Sequence, residues 1–396
     1  MSSLFDLGKH GPDAIYAAIV DVGSGSVGLA IIASVPGQPE PLIIYSARER
    51  TPIRDISGLS EASKDIATAV VNAFLLLGND GRQALEAYDG SAKISATSVS
   101  ISAPWSYTIA KTVHVHGDEP FEITKSLVED LTQQAHEEAL KIIQENDLMD
   151  RLGLITISEA TAEIVANGYI TKNPIDQTVN DLSLTQMNGV AEQKLVNVIQ
   201  DSQEKVLPSA ELQQHTFTQQ FHRALQSLRP DTSEACLIDV THEATEIGVV
   251  RDGVLRYVTH VPYGSYTIAR EISELCKLPK EEALGLLRVS DADQRQNLAA
   301  ATKAEIDVII KNYEEKLSDL FTRTGDTLSV PKSIFLHTDR KTEPFFVERI
   351  AAAAKNATTL HHSVHPLTEK MFADLTVNDS RILLSAYVFH ITEPES

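Results

Sequence analysis

The residues best suited to chemistry lie in one short run. An apolar stretch, Ile19-Val20, leads into Asp21-Val22 and then Gly23-Ser24-Gly25-Ser26. Glycine lets a backbone approach a ligand closely, and successive N–H groups in such a turn form a concavity for an anion. The serines add hydroxyls, so the run can present amides and hydroxyls to a phosphate. A plain tight hairpin is the competing reading; it calls for one glycine, not a Gly-Ser-Gly-Ser run.

Other candidates carry less. His361-His362-Ser363-Val364-His365 matches no standard zinc spacing and has no cysteine nearby. Cys236 and Cys276 have no metal-like spacing and sit in apolar runs, which predicts buried thiols in a reducing compartment. No Ser-His-Asp order, Cys-His pair or close carboxylate pair at a strand end points to hydrolase chemistry.

The elements that must hold the Asp21 loop occur twice. Residues 19–32 read IVDVGSGSVGLAII and residues 237–250 read LIDVTHEATEIGVV. Aligned without a gap, each predicts a buried strand ending in Asp21 or Asp239, a polar loop and a returning strand. A third strand follows each, over 41–46 and 254–261, and then a helix, over 61–77 and 265–275. The first copy carries a long insertion. A longer helix over 294–322 has apolar positions at helical spacing, including Ile306, Ile309, Ile310, Tyr313, Leu317 and Leu320. A short strand is predicted over 358–362, and Trp105 reads as packing at the entry to the insertion.

The chain has 396 residues, enough for two core-bearing lobes. It has 34 Lys plus Arg against 55 Asp plus Glu, a formal net charge of −21. Such a balance repels phosphate backbones and anionic lipid, which argues against nucleic-acid binding and direct electrostatic membrane attachment. No stretch approaches the apolar length of a transmembrane helix, and the first residues do not read as a signal peptide.

The Asp-Val-Gly-Ser-Gly-Ser-Val run resembles the first phosphate loop of the actin/Hsp70 superfamily. The second copy is similar to the second phosphate region of the FtsA/PilM type, with Arg251-Asp252-Gly253 in its hairpin. So is its continuation through Val261-Pro262-Tyr263-Gly264-Ser265 and Thr267-Ile268-Ala269 to Lys280-Glu281-Glu282-Ala283. Three pieces of the insertion resemble the SHS2-like insert of that type. They are Thr112–His116, a helix opened by Phe121-Glu122-Ile123-Thr124 and running to about Gln144, and the return through Ile155–Tyr169 and Asn173-Pro174-Ile175. The resemblance spans nearly the whole chain but is sharp only in the first loop. It implies an α/β, two-lobed actin-like ATPase fold, with duplicated ribonuclease H-like lobes and an α+β subdomain inserted in lobe I. Lobe I would take 1–103, completed by 191–230 and 376–396; the insert 104–190; lobe II 231–375, with a helical part at 280–328.

The resemblance also implies ATP and Mg²⁺ in a cleft between the lobes. Asp21 and Asp239 would stand on the metal side, and Gly23, Ser24, Gly25, Ser26 and Thr241 would face the phosphates. Asp21, Asp239 and Glu243 would be the catalytic candidates if the chain hydrolyses ATP. The second loop departs from the pattern: Thr241-His242-Glu243-Ala244-Thr245-Glu246 has no glycine, so β-carbons take the space of close backbone approach. Glu243 and Glu246 would also bring negative charge towards an anion, unless Glu243 holds a metal ion or a catalytic water. In the third, adenine-side loop, His337-Thr338-Asp339 replaces a glycine-rich turn, before Pro344 and a helix over 345–354. The expectation is a cleft that is degenerate, or that binds nucleotide without efficient hydrolysis.

For function, the resemblance implies a cytoplasmic PilM/FtsA-like scaffold in type IV pilus assembly. A membrane partner's short tail peptide would recruit it to the inner face of the cytoplasmic membrane. The acidic ending Ile391-Thr392-Glu393-Pro394-Glu395-Ser396 has no basic amphipathic helix, which favours PilM-like recruitment over a direct anchor; self-association stays open. The rivals are an active actin-fold ATPase of cell division and a small-molecule kinase of the same superfamily.

Overall fold

The computed structural model describes residues 14–55, 59–145, 153–288, 300–327, 329–338, 342–368 and 379–392. Its first sheet has five strands in the order β3-β2-β1-β4-β9. These are β1 (Ile15–Val22), β2 (Ser26–Ser34), β3 (Leu42–Arg50), β4 (Ile94–Ile101) and β9 (Glu211–Thr216). β1 and β2 are buried almost throughout, which is why they read as continuous apolar runs without alternation. Helices α1 (Leu59–Leu76) and α4 (Gln193–Val206) pack on one face, and the short α2 (Arg82–Tyr88) lies between α1 and β4 in the chain. That core includes Val20, Leu29, Phe74, Val99 and Ile199.

The second sheet repeats the plan, with order β12-β11-β10-β13-β14. Its strands are β10 (Ala235–Val240), β11 (Thr245–Arg251), β12 (Val254–Val261), β13 (Ser333–Thr338) and β14 (Ser363–Pro366). Helices α6 (Ser265–Cys276), α7 (Lys280–Gly285), α8 (Ala300–Thr327) and α9 (Glu343–Thr358) accompany it. The six apolar positions of α8 are all buried and join Phe346 and Ile350 of α9 in one core. The part of that expected helix before residue 300 lies outside the described residues. The strand expected over 358–362 is absent. Thr358 ends α9, Thr359 turns out of it with φ +61°, and pairing with β13 begins only at Ser363. Cys236 is buried, as expected, but Cys276 is only half-buried at the end of α6.

Between β4 and α4 the chain forms a third sheet, β5-β8-β6-β7, from β5 (Ser106–Glu122), β6 (Leu154–Ala166), β7 (Tyr169–Ile170) and β8 (Thr178–Glu192). Helix α3 (Lys125–Glu145) lies on it through Leu131, Ala135, Ala139 and Ile143, spaced every fourth residue. The helix starts later than the sequence suggests. Phe121 and Glu122 still belong to β5, and the Thr124 hydroxyl caps the helix by accepting from Leu127 N at 3.1 Å.

Two helices fill the space between the lobes. α5 (Phe217–Leu228) starts at a Thr216/Gln219 capping box. The last helix, α10 (Ser380–Thr392), is buried at every position from Arg381 to His390. A helix with apolar residues on all its faces must be buried all round, and this one has a lobe on each side. Ile382, Ala386 and Phe389 pack on Ala17, Ile19 and Ile32 of the first sheet. Leu383, Leu384 and Val388 pack with α5 and with Leu237 and Phe335 of the second.

Candidate functional site

The two hairpins that carry Asp21 and Asp239 match residue for residue. Asp21 pairs with Gly28 and Asp239 with Glu246, seven positions on in each case. Gly23 N donates to Ser26 O, and Thr241 N donates to Ala244 O, both at 2.9 Å. The duplication read from the sequence is therefore present in the backbone. It brings both aspartates to the ends of central strands on opposite sides of one cleft.

A side chain of α10 stands between them. Arg381 Nε donates to Asp21 Oδ2 at 2.7 Å, and its Nη1 donates to Asp239 Oδ1 at 3.1 Å. Its Nη2 donates to Ser102 Oγ, and the guanidinium carbon lies 3.8 Å above the Phe217 ring. Arg381 is 1 % exposed, Asp21 0 % and Asp239 2 %. Burial of so many charges is tolerable only because each is paired and hydrogen-bonded. Asp21 Oδ1 also accepts from Ser100 Oγ at 2.8 Å. Asp239 Oδ1 lies 2.8 Å from His337 Nδ1, and His337 Nε2 lies 3.1 Å from Ser380 Oγ. A carboxylate only accepts, so Nδ1 carries a hydrogen and donates to Asp239. The residue that the sequence places on the adenine-side loop thus serves as a partner of Asp239. Asp339 lies outside the described residues.

Arg381 is held at the start of its helix by a second arginine. Asp379 Oδ1 caps α10 by accepting from Ile382 N at 3.3 Å, and the same carboxylate takes Arg48 Nε and Nη2, both at 2.7 Å. Arg48 Nη1 donates to Ser26 Oγ at 2.7 Å. Strand β3, the Gly-Ser loop and the last helix are therefore linked through one guanidinium.

Above this cluster the two loops touch. Glu243 N donates to Ser24 Oγ at 2.8 Å across the cleft, and Thr241 Oγ1 donates to Ala103 O at 3.2 Å. The His242 ring fills the notch against Gly25: a β-carbon there would lie 2.6 Å from His242 Cγ and 2.9 Å from Tyr266 Cε2. His242 and Tyr266 meet edge to face at 4.2 Å. The first N–H groups of α6 face inward as well, Ser265 N to Thr241 O at 3.0 Å and Tyr266 N to His242 O at 2.7 Å. Trp105, buried as expected, donates Nε1 to Gly23 O at 3.2 Å.

The acidic residues of the second loop do not act as the sequence suggested. Glu243 forms a two-point ion pair with Arg270 of α6, at 2.8 and 2.5 Å. Glu246 is buried and accepts from Thr218. Burial pushes its carboxyl up to about 8, against the opposing effect of the Thr218 bond, so it is protonated at neutral pH. Neither brings net negative charge into the cleft, and Glu243 is not free to hold a metal ion. Beside the loops, the cavity lined by Ser24, Thr51, Glu243, Tyr266 and Arg270 is about 10 Å³, no more than one water needs. Mg²⁺ and a nucleotide do not fit these residues. One guanidinium already bridges the two aspartates where the cation would stand, and the serine and glycines of the loop contact protein where phosphate would lie.

The structure thus brings together Asp21, Gly23, Ser24, Gly25, Ser26, Asp239, Thr241 and Glu243 around the cleft, each facing protein. Sequence reading missed Arg381, His337, Arg270 and Tyr266 as their partners. Only Arg381 left a signal: a lone arginine opening the otherwise apolar helical run ILLSAYVF. Among the described residues no group of His, Cys, Asp and Glu could hold a metal ion, the 361–365 tract included.

No protein-family model and no curated protein matches the chain in sequence. Its fold is similar to that of a solved structure of the PilM-PilN type IV pilus biogenesis complex. The TM-score is 0.58 at 11% identity, over 94% of this chain and 97% of that one. A lower score, 0.43 at 10% identity, relates it to the ethanolamine utilization protein EutJ from Carboxydothermus hydrogenoformans, over 95% of this chain and 89% of that one. The chain therefore has the two-lobed actin-like fold, in the arrangement of the PilM structure.

Proposed function

We propose, from this two-lobed actin-like fold as premise, that the chain is a protein-binding scaffold whose lobes are tied together by side chains instead of by nucleotide. The observation that carries the reading is Arg381, placed between Asp21 and Asp239 where a bound cation would otherwise join the lobes. The small cavity beside Ser24 and Glu243, about 10 Å³, supports it. An ATPase of this fold would need two phosphate loops that separate enough to admit a triphosphate; here they are bonded to each other through Ser24 and Glu243.

The likeness of fold to the PilM chain supports a role in pilus-type machinery. On this reading a tail peptide of a membrane protein holds the chain at the inner face of the cytoplasmic membrane. No described helix is long and apolar enough to cross a membrane, so attachment through a partner suits what is seen.

Thermal melting of the full chain with Mg-ATP and Mg-ADP tests the cleft. A ligand that binds the folded state alone must raise the midpoint as its concentration rises. The expected result is no saturable shift with either nucleotide and no phosphate release above the blank. A saturable shift that Asp21→Asn abolishes would overturn the tied-lobe reading. Deleting the gene in its own host tests the pilus half: loss of surface pili is expected, and normal piliation would sink it.

A further inference from the structure

A second cavity, of about 480 Å³, lies between β5 of the insert and β12 of lobe II, with Glu246 in its lining. Both are edge strands, since β5 pairs only with β8 and β12 only with β11. The two strands pack close to one another, but no backbone hydrogen bond joins them among the described residues. Consecutive residues of each strand line the space, 107–110 on one side and 256–262 on the other. Strand edges carry outward N–H and C=O groups, and Ile142 of α3 and Glu246 of β11 complete the lining. An unpaired edge is a template for an added strand.

The chemistry inside is specific. Tyr107 is 4 % exposed, and its hydroxyl has no hydrogen-bond partner among the described residues. His260 meets it edge to face at 4.7 Å, and its shielded Nε2 is likewise without a partner there. Buried polar atoms left unsatisfied are uncommon and costly. Burial lowers His260 to about 4, so the ring is neutral and can exchange a hydrogen bond with an amide. Ile109 and Val258 add apolar wall. Two guanidiniums reach the space, together with the Glu246 carboxyl, which is protonated at neutral pH. Arg256 is matched by Glu163; Arg323 is exposed and has no ion pair with a described residue. In a chain of net charge −21, a groove whose single uncompensated charge is positive selects an acidic ligand.

We propose that this groove binds an extended, acidic segment of a partner protein, which adds its backbone to a free edge and sets a carboxylate on Arg323. A peptide amide bridges the Tyr107 hydroxyl and His260 Nε2, and an apolar side chain of the segment lies on Ile109 and Val258. The proposal rests on the scaffold reading in that it takes the occupant to be a protein.

The test uses the full chain and a displayed library of random linear decapeptides, with enriched sequences synthesised and measured by fluorescence anisotropy. Enriched peptides are expected to carry Asp or Glu beside apolar residues. Arg323→Glu is expected to weaken them about tenfold or more, and Tyr107→Phe several-fold. N-methylation of alternate peptide amides should abolish binding, while methylation of the intervening ones leaves it intact, because a strand pairs through every second residue. Both variants are checked for unchanged melting midpoints, so that lost binding is not lost folding. No enrichment, peptides indifferent to Arg323→Glu, full competition by free glutamate, or a concentration-dependent dimer that Arg323→Glu dissolves would each overturn the proposal. If gene deletion abolishes pili and Arg323→Glu restores them in full, the groove is wrong and the scaffold reading stands.

Discussion

Arg381 Nε donates to Asp21 Oδ2 at 2.7 Å, joining residues 360 apart in the chain. The same guanidinium reaches Asp239, so one side chain from the last helix links the matching ends of two central strands. A cation with fixed, planar donors can satisfy two carboxylates that a hydrated metal ion would otherwise bridge, and Arg does not lose its charge on burial. The cost is that the arrangement depends on all of its members. Removing the arginine leaves two buried aspartates facing each other.

That dependence gives the first expectation. Arg381→Met should lower stability by about 3–5 kcal/mol, the usual effect of breaking a buried pair from one side. The combined Arg381→Met, Asp21→Asn, Asp239→Asn variant should recover a large part of the loss, since no uncompensated charge remains. Urea midpoints of the two variants measure this; a single variant as stable as the parent would show that Arg381 holds nothing.

The bond between the loops is tested at its acceptor. Ser24→Ala leaves the Glu243 N–H buried without a partner, and about 1–3 kcal/mol should be lost. Amide hydrogen exchange should rise at residues 241–246 in lobe II, across the cleft from the substitution. Faster exchange confined to residues 23–26 would mean that the loops do not support each other.

Gly25 is needed for space. Its φ is not in the left-handed region, but a β-carbon would meet the His242 ring at 2.6 Å. Gly25→Ala should destabilise by about 1–3 kcal/mol through overpacking. Adding His242→Ala should remove most of that penalty, and a double-mutant cycle reads the coupling. Additive effects would refute the contact.

Stability should also respond to pH through Glu246. Its folded carboxyl is raised from 4.5 to about 8 by burial. The folded state therefore holds a proton that the unfolded state releases between those values. The contribution to stability is fully present below pH 4.5 and is lost as pH rises to about 8. The parent should become less stable relative to Glu246→Gln over that interval, measured as the difference in urea midpoint at matched pH. A difference that does not change with pH would place the Glu246 carboxyl in its ordinary range.

Much of the architecture was legible because it is written in local patterns. Apolar runs of strand length, a polar loop at the same offset after Asp21 and Asp239, and helical spacing in α8 are all properties of near neighbours. The boundaries that slipped did so for equally local reasons that outrank apolar pattern. Thr124 caps α3 and so delays it, and Thr359 turns out of α9 before β14 can begin.

By itself, the sequence determined that two strand–Asp–loop hairpins exist, and that the second lacks the glycines of the first. Turn chemistry and strand burial depend on residues a few positions apart. Only the tertiary structure decided what the loops face. Arg381 comes between the aspartates through the packing of α10 against both lobes. The charge of Glu243 is cancelled by Arg270, 27 positions away, and that of Glu246 is withheld by burial. The same packing leaves the edges of β5 and β12 facing each other over an unfilled groove. Electrostatics and free space are set by what surrounds a residue in three dimensions. Resemblance along the chain therefore reached the fold, and left the content of its cleft to the assembled lobes.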